Sequence, residues 1–275
     1  MKNLYHMSAF PKNINGGNLA GVYLFADDLN DFNMQKIAYE VGYSETAFVM
    51  KSDAADFKVR FFTPIEEVNL CGHATIATFN LLRDLKIIKT GMYTQETKAG
   101  ILRLDVKEKM VFMEQPSPLF FDIVEKVDLE VCFHNLKFHD VLNPQIVSTG
   151  IREIFLPVKN VDTLNCLIPI NDEIIKLSQK YNVIGIHAFA LDDDIDAYGR
   201  NFAPIVGIDE ESATGTSNGA LGSYLFKYLK KKNNYILRQG YSMNLPSEII
   251  TIVESDNNHI DEIWVGGTAI NIKTS

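Results

Sequence analysis

Two short glycine-containing turns bring together groups that could do chemistry. One is Cys71–His73 and the other is Thr214–Thr216, and each leads into an apolar segment predicted to be a helix. The first backbone N–H groups of a helix have no partner within the helix, so they bind anions and substrate oxygen atoms. Gly72 and Gly215 would let a ligand approach this backbone closely. The sequence therefore predicts two backbone sites for substrate oxygens.

The first turn also contains two side chains that could take part in catalysis. His73 could orient a substrate or relay a proton, because an imidazole both donates and accepts hydrogen bonds. Cys71 could act as a thiolate base, since a helix N-terminus favours the thiolate. A racemase that uses thiols needs a second one on the opposite face, and the matching segment Glu210–Gly215 contains none. A buried structural cysteine is therefore the favoured interpretation of Cys71.

Hydrophobic patterning and turn residues predict more strands than helices. The chain begins with a predicted strand over 4–9, a turn over 16–18 and a helix over 31–41 that Asp31 caps and Gly42 ends. Further helices are predicted over 72–85, 172–181 and 216–230, and a polar connection over 116–128. The other predicted strands lie at 20–25, 46–50, 57–62, 93–95, 101–106, 110–115, 184–191, 196–202, 235–238, 248–253 and 262–265.

A short motif occurs twice, once before each predicted apolar helix. Arg60–Ile65 reads RFFTPI and Arg200–Ile205 reads RNFAPI, so four of the six positions are identical. Acidic residues, a glycine-containing turn and an apolar segment follow each copy. Because the context is repeated along with the motif, the chain is predicted to contain an internal repeat.

The two helices that follow the repeated motif are apolar on nearly every side, so each must be buried all round. We therefore predict an α+β fold of two similar domains, 1–117 and 118–275. Each domain would have a mixed sheet or barrel around one central helix, and the last strand of the chain could return to the first domain. A two-fold relation would make the glycine turns a two-sided anion clamp across a cleft. The alternative is one α+β domain with a single buried helix and a chance echo of the motif.

Composition excludes several partners. The formal charge of −9 over 275 residues disfavours nucleic acid and acidic membranes, which need a surplus of Lys and Arg. The basic run Lys230–Lys232 is attributed to a helix C-terminus. No apolar run is long enough to span a membrane, so a cytoplasmic location is expected.

Three cysteines without metal-site spacing predict free thiols in a reducing compartment.

Longer motifs in the chain carry a resemblance to a known family. They are Ser44–Val49, Arg60–Thr75 and Glu211–Gly219. In order and spacing they resemble the motifs of the phenazine-biosynthesis PhzF-like family of isomerases. The likeness extends from Gly17–Asn18 to Trp264–Gly267, and so covers essentially the whole chain.

The resemblance implies a diaminopimelate-epimerase-like fold, often dimeric, with no metal and no organic cofactor. It also assigns the family's catalytic glutamate to Glu45. From the residues alone, Glu45 lies between a helix stop and an apolar strand, where a solvated carboxylate is the commoner explanation. The resemblance reverses that ranking and implies that Glu45 acts first as a general base and then as an acid, moving a proton between carbons of a small carboxylate-bearing substrate.

The same resemblance implies roles for six more residues. His73 and Glu211 would orient the substrate and assist proton placement, and Asn18 would bind it. Gly72, Gly215 and Thr216 would bind its oxygen atoms.

The chain departs from the family pattern at several positions. It has Glu211-Ser212 where the family usually has Asp-Pro, and Thr216 where serine is usual. Asn244–Pro246 stands in place of a common Gly-Arg-Pro, which removes a candidate anion contact. We therefore expect different pocket dimensions and a substrate that need not be the phenazine precursor.

Two other functions stay open at this point. One is a thiol-dependent epimerase or racemase of an amino or hydroxy acid that uses Cys71. The other is a non-catalytic small-molecule binding protein on the same fold, because a fold does not guarantee chemistry.

Overall fold

The chain forms two compact units. The computed structural model describes residues 3–229, 232–257 and 259–272. Internal contacts group Met1–Glu114 with Gly266–Ser275 as unit 1, and Gln115–Val265 as unit 2. The division predicted from the sequence was 1–117 and 118–275.

Unit 1 contains two long helices and a mixed sheet. Its elements are β1 (Leu4–Ala9), β2 (Asn18–Tyr23), α1 (Asp31–Val41), β3 (Glu45–Met50), β4 (Phe57–Phe62), β5 (Glu67–Val68), α2 (Gly72–Asp84), β6 (Gly91–Thr97), β7 (Gly100–Val106) and β8 (Val111–Gln115). Strands β2 and β3 pair in parallel, as do β4 and β6. The pairs β1–β2, β3–β4, β4–β5, β6–β7 and β7–β8 are antiparallel.

Unit 2 follows a similar plan with more connections. Its elements are β9 (Leu119–Ile123), α3 (Lys126–Glu130), β10 (Phe133–His134), β11 (Gln145–Ser148), β12 (Arg152–Pro157), α4 (Val161–Cys166), β13 (Ile168–Pro169), α5 (Asn171–Tyr181), β14 (Ile186–Leu191), β15 (Ala197–Ala203), β16 (Ile208–Glu211), α6 (Gly215–Tyr228), β17 (Asn234–Gln239), β18 (Ser247–Asp256) and β19 (His259–Gly267). The last strand, β20 (Ala269–Asn271), pairs with β1 in unit 1.

The order of strand pairing is the same in the two units. In unit 2 the pairs β12–β14 and β15–β17 are parallel, and β11–β12, β14–β15, β15–β16 and β17–β18 are antiparallel. Strands β1 to β7 of unit 1 pair in the same sequence of parallel and antiparallel partners. The predicted internal repeat is therefore present in the backbone, and the predicted α+β fold class is confirmed.

Each unit has one helix enclosed by its sheet. Helix α2 packs against β1, β2, β3, β7 and β20, and every residue of it from His73 to Leu82 is buried. Helix α6 packs against β11 and β18 and is buried from Ser217 to Phe226. Small residues allow this close packing, since a Cβ added at Gly222 would lie 2.5 Å from Cγ2 of Thr251.

The arginine of the repeated motif has the same structural role in both units. Arg60 donates two hydrogen bonds to Glu67, both at 2.8 Å, and Arg200 donates two to Glu210, at 2.9 and 2.8 Å. Each guanidinium also lies over the phenylalanine two residues along the motif. These bidentate pairs join β4 to β5 and β15 to β16.

Two local predictions were wrong. The N-cap of α1 is Asn30 and not Asp31, because Oδ1 of Asn30 accepts a hydrogen bond from the N–H of Asn33. The polar connection predicted over 116–128 contains strand β9, which pairs with β11. Its five residues combine two phenylalanines with exposed positions, and this mixture obscured the strand pattern.

The part of unit 2 between β9 and α5 was given no elements from the sequence. Strands β11 and β12 lie there, and β12 is buried from Glu153 to Pro157. Helix α6 ends at Tyr228, two residues before the predicted end. Of the basic run Lys230–Lys232, the first two residues lie outside the described residues. Among the helices of the described chain, none is both long and apolar enough to cross a membrane.

The two arginine–glutamate pairs differ in burial, so substituting each arginine by alanine should lower the free energy of unfolding by different amounts. Arg200→Ala should lower the free energy of unfolding by about 3–5 kcal/mol, because it leaves Glu210 without its buried partner. Arg200 also donates hydrogen bonds to the carbonyls of Leu164 and Leu167. Arg60→Ala should cost less, because its side chain is more exposed, 17% against 8%. Urea denaturation measures the free energy of unfolding of both variants. A loss in Arg60→Ala equal to or larger than that in Arg200→Ala would contradict the difference expected from burial.

Candidate active site

Three segments of unit 1 begin at one place and bring the predicted site residues together. Asn18 is the first residue of β2, Glu45 is the first residue of β3, and Gly72 is the first residue of α2. Glu45 is paired with Ala20 in the parallel β2–β3 ladder. The predicted site residues of this unit therefore lie around the N-terminus of α2.

The carboxylate of Glu45 is largely enclosed. One of its oxygens, Oε2, is buried and accepts no hydrogen bond from the described part of the chain. Nε2 of His73 lies 3.3 Å from that oxygen, with the Glu45 side chain 17% exposed and the His73 side chain 4% exposed. A buried carboxylate oxygen without a hydrogen bond is energetically costly, and such groups are concentrated at functional sites.

The His73 ring is surrounded by polar neighbours. Nδ2 of Asn18 and Sγ of Cys71 each lie 3.4 Å from its Nδ1. Oγ of Ser44 lies 3.4 Å from its Nε2, on the same ring edge as Glu45. The ring is therefore held between Asn18 on one side and Glu45 on the other, and this arrangement fixes its orientation.

The start of α2 keeps its positive character. Its N-cap residue, Cys71, has an extended backbone and makes no side-chain capping bond, and the first turn contains no acidic residue. The helix dipole adds only about 0.3–2 kcal/mol of attraction for an anion. A directed backbone N–H at an oxyanion contributes more, about 2.7–4 kcal/mol.

Three side chains of this site could hold a metal ion. One ligand atom from each of Glu45, Cys71 and His73 can be chosen so that all three lie within 4.8 Å of one another. Nitrogen, sulfur and oxygen donors of this kind suit zinc. The same three groups also suit proton transfer, since a carboxylate, an imidazole and a thiol all exchange protons.

The start of α6 in unit 2 repeats this arrangement. Its N-cap residue, Thr214, is extended and makes no side-chain capping bond, and no acidic residue occurs in the first turn. Gly215 and Thr216 are the first two residues of the helix. The hydroxyl of Thr214 instead donates a 2.6 Å hydrogen bond to Oε2 of Glu211.

Gln239 of β17 holds the segment that leads into α6. Its side-chain N–H groups donate to the carbonyl of Glu211, at 2.7 Å, and to the hydroxyl of Thr214, at 3.1 Å. Its oxygen accepts from Nδ2 of Asn218 at 2.8 Å. Glu211 therefore has a fixed backbone and a side chain hydrogen-bonded to the turn.

Sequence analysis missed a buried polar cluster next to this turn. Its members are Glu153 of β12, His187 of β14, Asn201 of β15 and Ser217 of α6. The signal was present in the repeated motif, where Asn201 occupies the position of Phe61. Burial raises the pKa of Glu153 to about 7, helped by the negative charge of Glu211 and opposed by the hydrogen bonds from Ser217 and Asn201. Burial lowers the pKa of His187 to about 3.

The comparisons with known proteins identify the family. A family model described as phenazine biosynthesis-like protein, PhzC-PhzF, matches residues 7–275. An uncharacterized isomerase of Clostridium acetobutylicum is 38% identical, with 98% of this chain and 95% of that protein covered. The chain belongs to the PhzC-PhzF family.

Other members of the PhzC-PhzF family agree in structure and in enzyme class. The crystal structure of a PhzF-family phenazine biosynthesis protein from Bacillus anthracis matches with a TM-score of 0.89 and 32% identity, over 98% of this chain and 96% of that one. The trans-2,3-dihydro-3-hydroxyanthranilate isomerase of Pseudomonas chlororaphis is 26% identical, over 92% of this chain and 91% of that protein. The chain is an isomerase of this family, which confirms the predicted enzyme class over a non-catalytic binding protein.

The roles assigned to individual site residues stay predictions, as do the two-sided clamp and the homodimer. In unit 1 the structure places Asn18, Glu45, Gly72 and His73 together. In unit 2 it places Glu211, Gly215 and Thr216 within one short segment.

Two of the three cysteines, Cys132 and Cys166, should react differently with an alkylating agent. Cys166 is exposed, whereas Cys132 is buried, and burial raises the pKa of the Cys132 thiol to about 12. Iodoacetamide at pH 8 should therefore modify Cys166 in the folded protein and spare Cys132. Peptide mass spectrometry measures both, with urea-unfolded protein as the control in which every cysteine reacts. Equal rates at Cys132 and Cys166 in the folded protein would refute this ordering.

Proposed function

We propose that this isomerase moves a proton between two carbon atoms of a small carboxylate-bearing metabolite by general acid–base catalysis, without a metal or organic cofactor. Glu45 is the group that takes and returns the proton. A conjugated, cyclic carboxylic acid is the favoured substrate class, by analogy with the relative that acts on trans-2,3-dihydro-3-hydroxyanthranilate.

The buried Oε2 of Glu45 is the observation that supports this proposal most. It accepts no hydrogen bond from the described residues, so it is free to accept a proton from a bound substrate. In the proposed step a C–H bond breaks, the proton passes to Glu45, and the electron pair is delocalised into the conjugated system. Glu45 then returns the proton to a second carbon, so no oxidant or reductant is needed.

His73 is proposed to position the reacting groups. Its Nε2 lies 3.3 Å from Oε2 of Glu45, and Asn18 and Cys71 contact its other ring nitrogen. A histidine held in this way can orient Glu45 or a substrate oxygen. Asn18 and the backbone N–H of Gly72 are proposed to bind substrate oxygens.

In unit 2, Gly215 and Thr216 are proposed to bind substrate oxygen atoms through the uncapped start of α6. Glu211 is proposed to orient the substrate and assist proton placement. Its hydrogen bond from Thr214 and the anchoring of its backbone by Gln239 support a fixed role.

Glu45→Gln tests the proposed base. The amide has the same shape but cannot accept the proton, so kcat/KM should fall roughly 10²- to 10⁴-fold. The assay would follow the ultraviolet spectrum of a panel of conjugated cyclic acids, with trans-2,3-dihydro-3-hydroxyanthranilate as the first, in buffer treated with a metal chelator.

Glu40→Gln is the matched control for this substitution. Glu40 lies on α1 of the same unit, and its exposed side chain pairs only loosely with Lys36, at 3.9 Å. It should retain full activity. Wild-type kcat/KM in the Glu45→Gln enzyme would reject the assignment of Glu45, and loss of activity on chelation alone would reject cofactor independence.

A thiol mechanism is the second candidate, because Sγ of Cys71 lies 3.4 Å from Nδ1 of His73. An imidazole at this distance could withdraw the thiol proton and produce a nucleophilic or basic thiolate. The residue of unit 2 at the corresponding N-cap is Thr214, which lacks the thiol that a two-thiol racemase would need.

Cys71→Ala separates the two candidates. If Glu45 is the base, the variant should keep its activity within about tenfold, since it loses a contact to the His73 ring and no proton-transfer group. The measurement is kcat/KM beside Cys166→Ala, which changes an exposed thiol. A loss as large as that of Glu45→Gln would instead favour the thiol mechanism.

A further inference from the structure

The repeated fold allows the cores of the two units to be compared position by position. The sheet registers pair Ala47 with Phe61 in unit 1 and His187 with Asn201 in unit 2. The helix starts align Ala74 with Ser217, and the parallel ladders align Ala20 with Glu153. Four positions that are apolar in unit 1 are therefore polar in unit 2. All eight residues are buried: Ala20, Ala47, Phe61, Ala74, Glu153, His187, Asn201 and Ser217.

The four polar residues of unit 2 form one hydrogen-bonded network. Nδ2 of Asn201 lies 2.8 Å from Oε1 of Glu153, 3.1 Å from Oγ of Ser217 and 3.2 Å from Nδ1 of His187. The hydroxyl of Ser217 contacts the other oxygen of Glu153 closely. Both carboxyl oxygens of Glu153 are thus engaged, and one of them is bonded to α6.

No positive charge in the network compensates Glu153. His187 is neutral over the physiological range, because its burial lowers its pKa to about 3. The other ionisable group that acts on Glu153 is Glu211 of β16, which has the same sign of charge as an ionised Glu153. Burial and the charge of Glu211 outweigh the hydrogen bonds from Ser217 and Asn201, so Glu153 is mainly neutral below pH 7, and the neutral form can donate a hydrogen bond as well as accept one.

The network bears on the proposed substrate-binding turn. Ser217 is the third residue of α6, so it follows Thr216 directly, and Gly215 is the first. The carbonyl of Thr216 is held separately by the hydroxyl of Thr149. In unit 1 the corresponding third residue of α2 is Ala74, whose side chain cannot form such a hydrogen bond.

We infer that Glu153 is a positioning residue that fixes the first turn of α6 through its hydrogen bond with Ser217, and that a change in its protonation state alters this turn. The effect on catalysis rests on the proposed role of Gly215 and Thr216 in substrate binding. Glu153 does not touch the substrate. It acts through the turn, so it should change KM more than kcat.

The test follows the backbone N–H resonances of Gly215 and Thr216 in protein labelled with 15N at glycine and threonine, between pH 5.5 and 8.5. In the wild type both should shift with a midpoint near 7, following the pKa of Glu153. Glu153→Gln cannot ionise, so its resonances should stay constant. Resonances that do not titrate in the wild type, or that titrate equally in Glu153→Gln, would overturn the inference.

Two serines of α6 provide a matched pair. Ser217→Ala removes the link to Glu153 and should raise KM roughly five- to tenfold, the size of one net hydrogen bond. Ser223 is also buried but bonds within the helix, to the carbonyl of Gly219, so Ser223→Ala should leave KM and the titration unchanged. Equal effects from the two variants would overturn the positioning role. A third result is also informative. If the Gly215 and Thr216 resonances titrate in the wild type but Ser217→Ala has an unchanged KM, the positioning role of Glu153 is supported and substrate binding by this turn is refuted.

Stability gives a measurement that needs no substrate. The pKa of Glu153 is raised in the folded protein, from 4.5 to about 7, so its contribution to stability is present at low pH and is lost as pH rises through 7. The contribution of His187 to stability changes with pH in the opposite direction. Because His187 is present in both the wild type and Glu153→Gln, its contribution cancels when the two proteins are compared. Between pH 5 and 7.5 the wild type should lose more stability than Glu153→Gln. Parallel curves of urea midpoint against pH would contradict a neutral buried Glu153.

Discussion

In each unit a helix without a polar face lies inside a mixed sheet, and burial of that helix determines the rest of the structure. A helix buried on every side must satisfy its polar groups internally and must carry small residues where strands approach. Thr75 and Thr78 accordingly donate to carbonyls of their own helix, and Gly222 lies against Thr251. The helix start is the exception, since neither α2 nor α6 has a side-chain cap there. The proposed chemistry uses these two uncapped ends.

The repeated units have diverged where the proposed chemistry takes place. The ladders pair Thr46 with Phe62 and Ile186 with Phe202, so Gly185 occupies the position that Glu45 occupies in unit 1. A Cβ at Gly185 would lie 2.0 Å from the carbonyl oxygen of Phe202, which leaves no room for a side chain. Unit 2 instead has a buried acid one strand away, at Glu153. The two helix starts are therefore similar, but the strand position that carries Glu45 in unit 1 has no side chain in unit 2.

The sequence predicted the features that depend on local pattern and on the repeat. The helices α1, α2, α5 and α6 and the strands of unit 1 other than β5 and β20 were found from hydrophobic patterning, and the matched context of Arg60 and Arg200 predicted the internal repeat. Glu45 needed the family resemblance, because a single glutamate at a strand start has no distinguishing local pattern. Strands β9, β11 and β12 were missed, since β9 and β11 are short and the burial of all three depends on contacts with distant strands. Glu153 was missed with them, because only the fold brings it to Ser217.

The proposed chemistry depends on Glu45 transferring a proton between two carbon atoms of the substrate. The most direct measurement is nuclear magnetic resonance of the product formed in deuterated water, together with a second reaction of substrate deuterated at the donor carbon. Proton transfer by Glu45 predicts either carbon-bound deuterium from solvent or migration of the substrate's deuterium to the second carbon, in the wild type and not in Glu45→Gln. Hydrogen migration at the wild-type rate in that variant, or a product with no migrated or exchanged hydrogen, would contradict it.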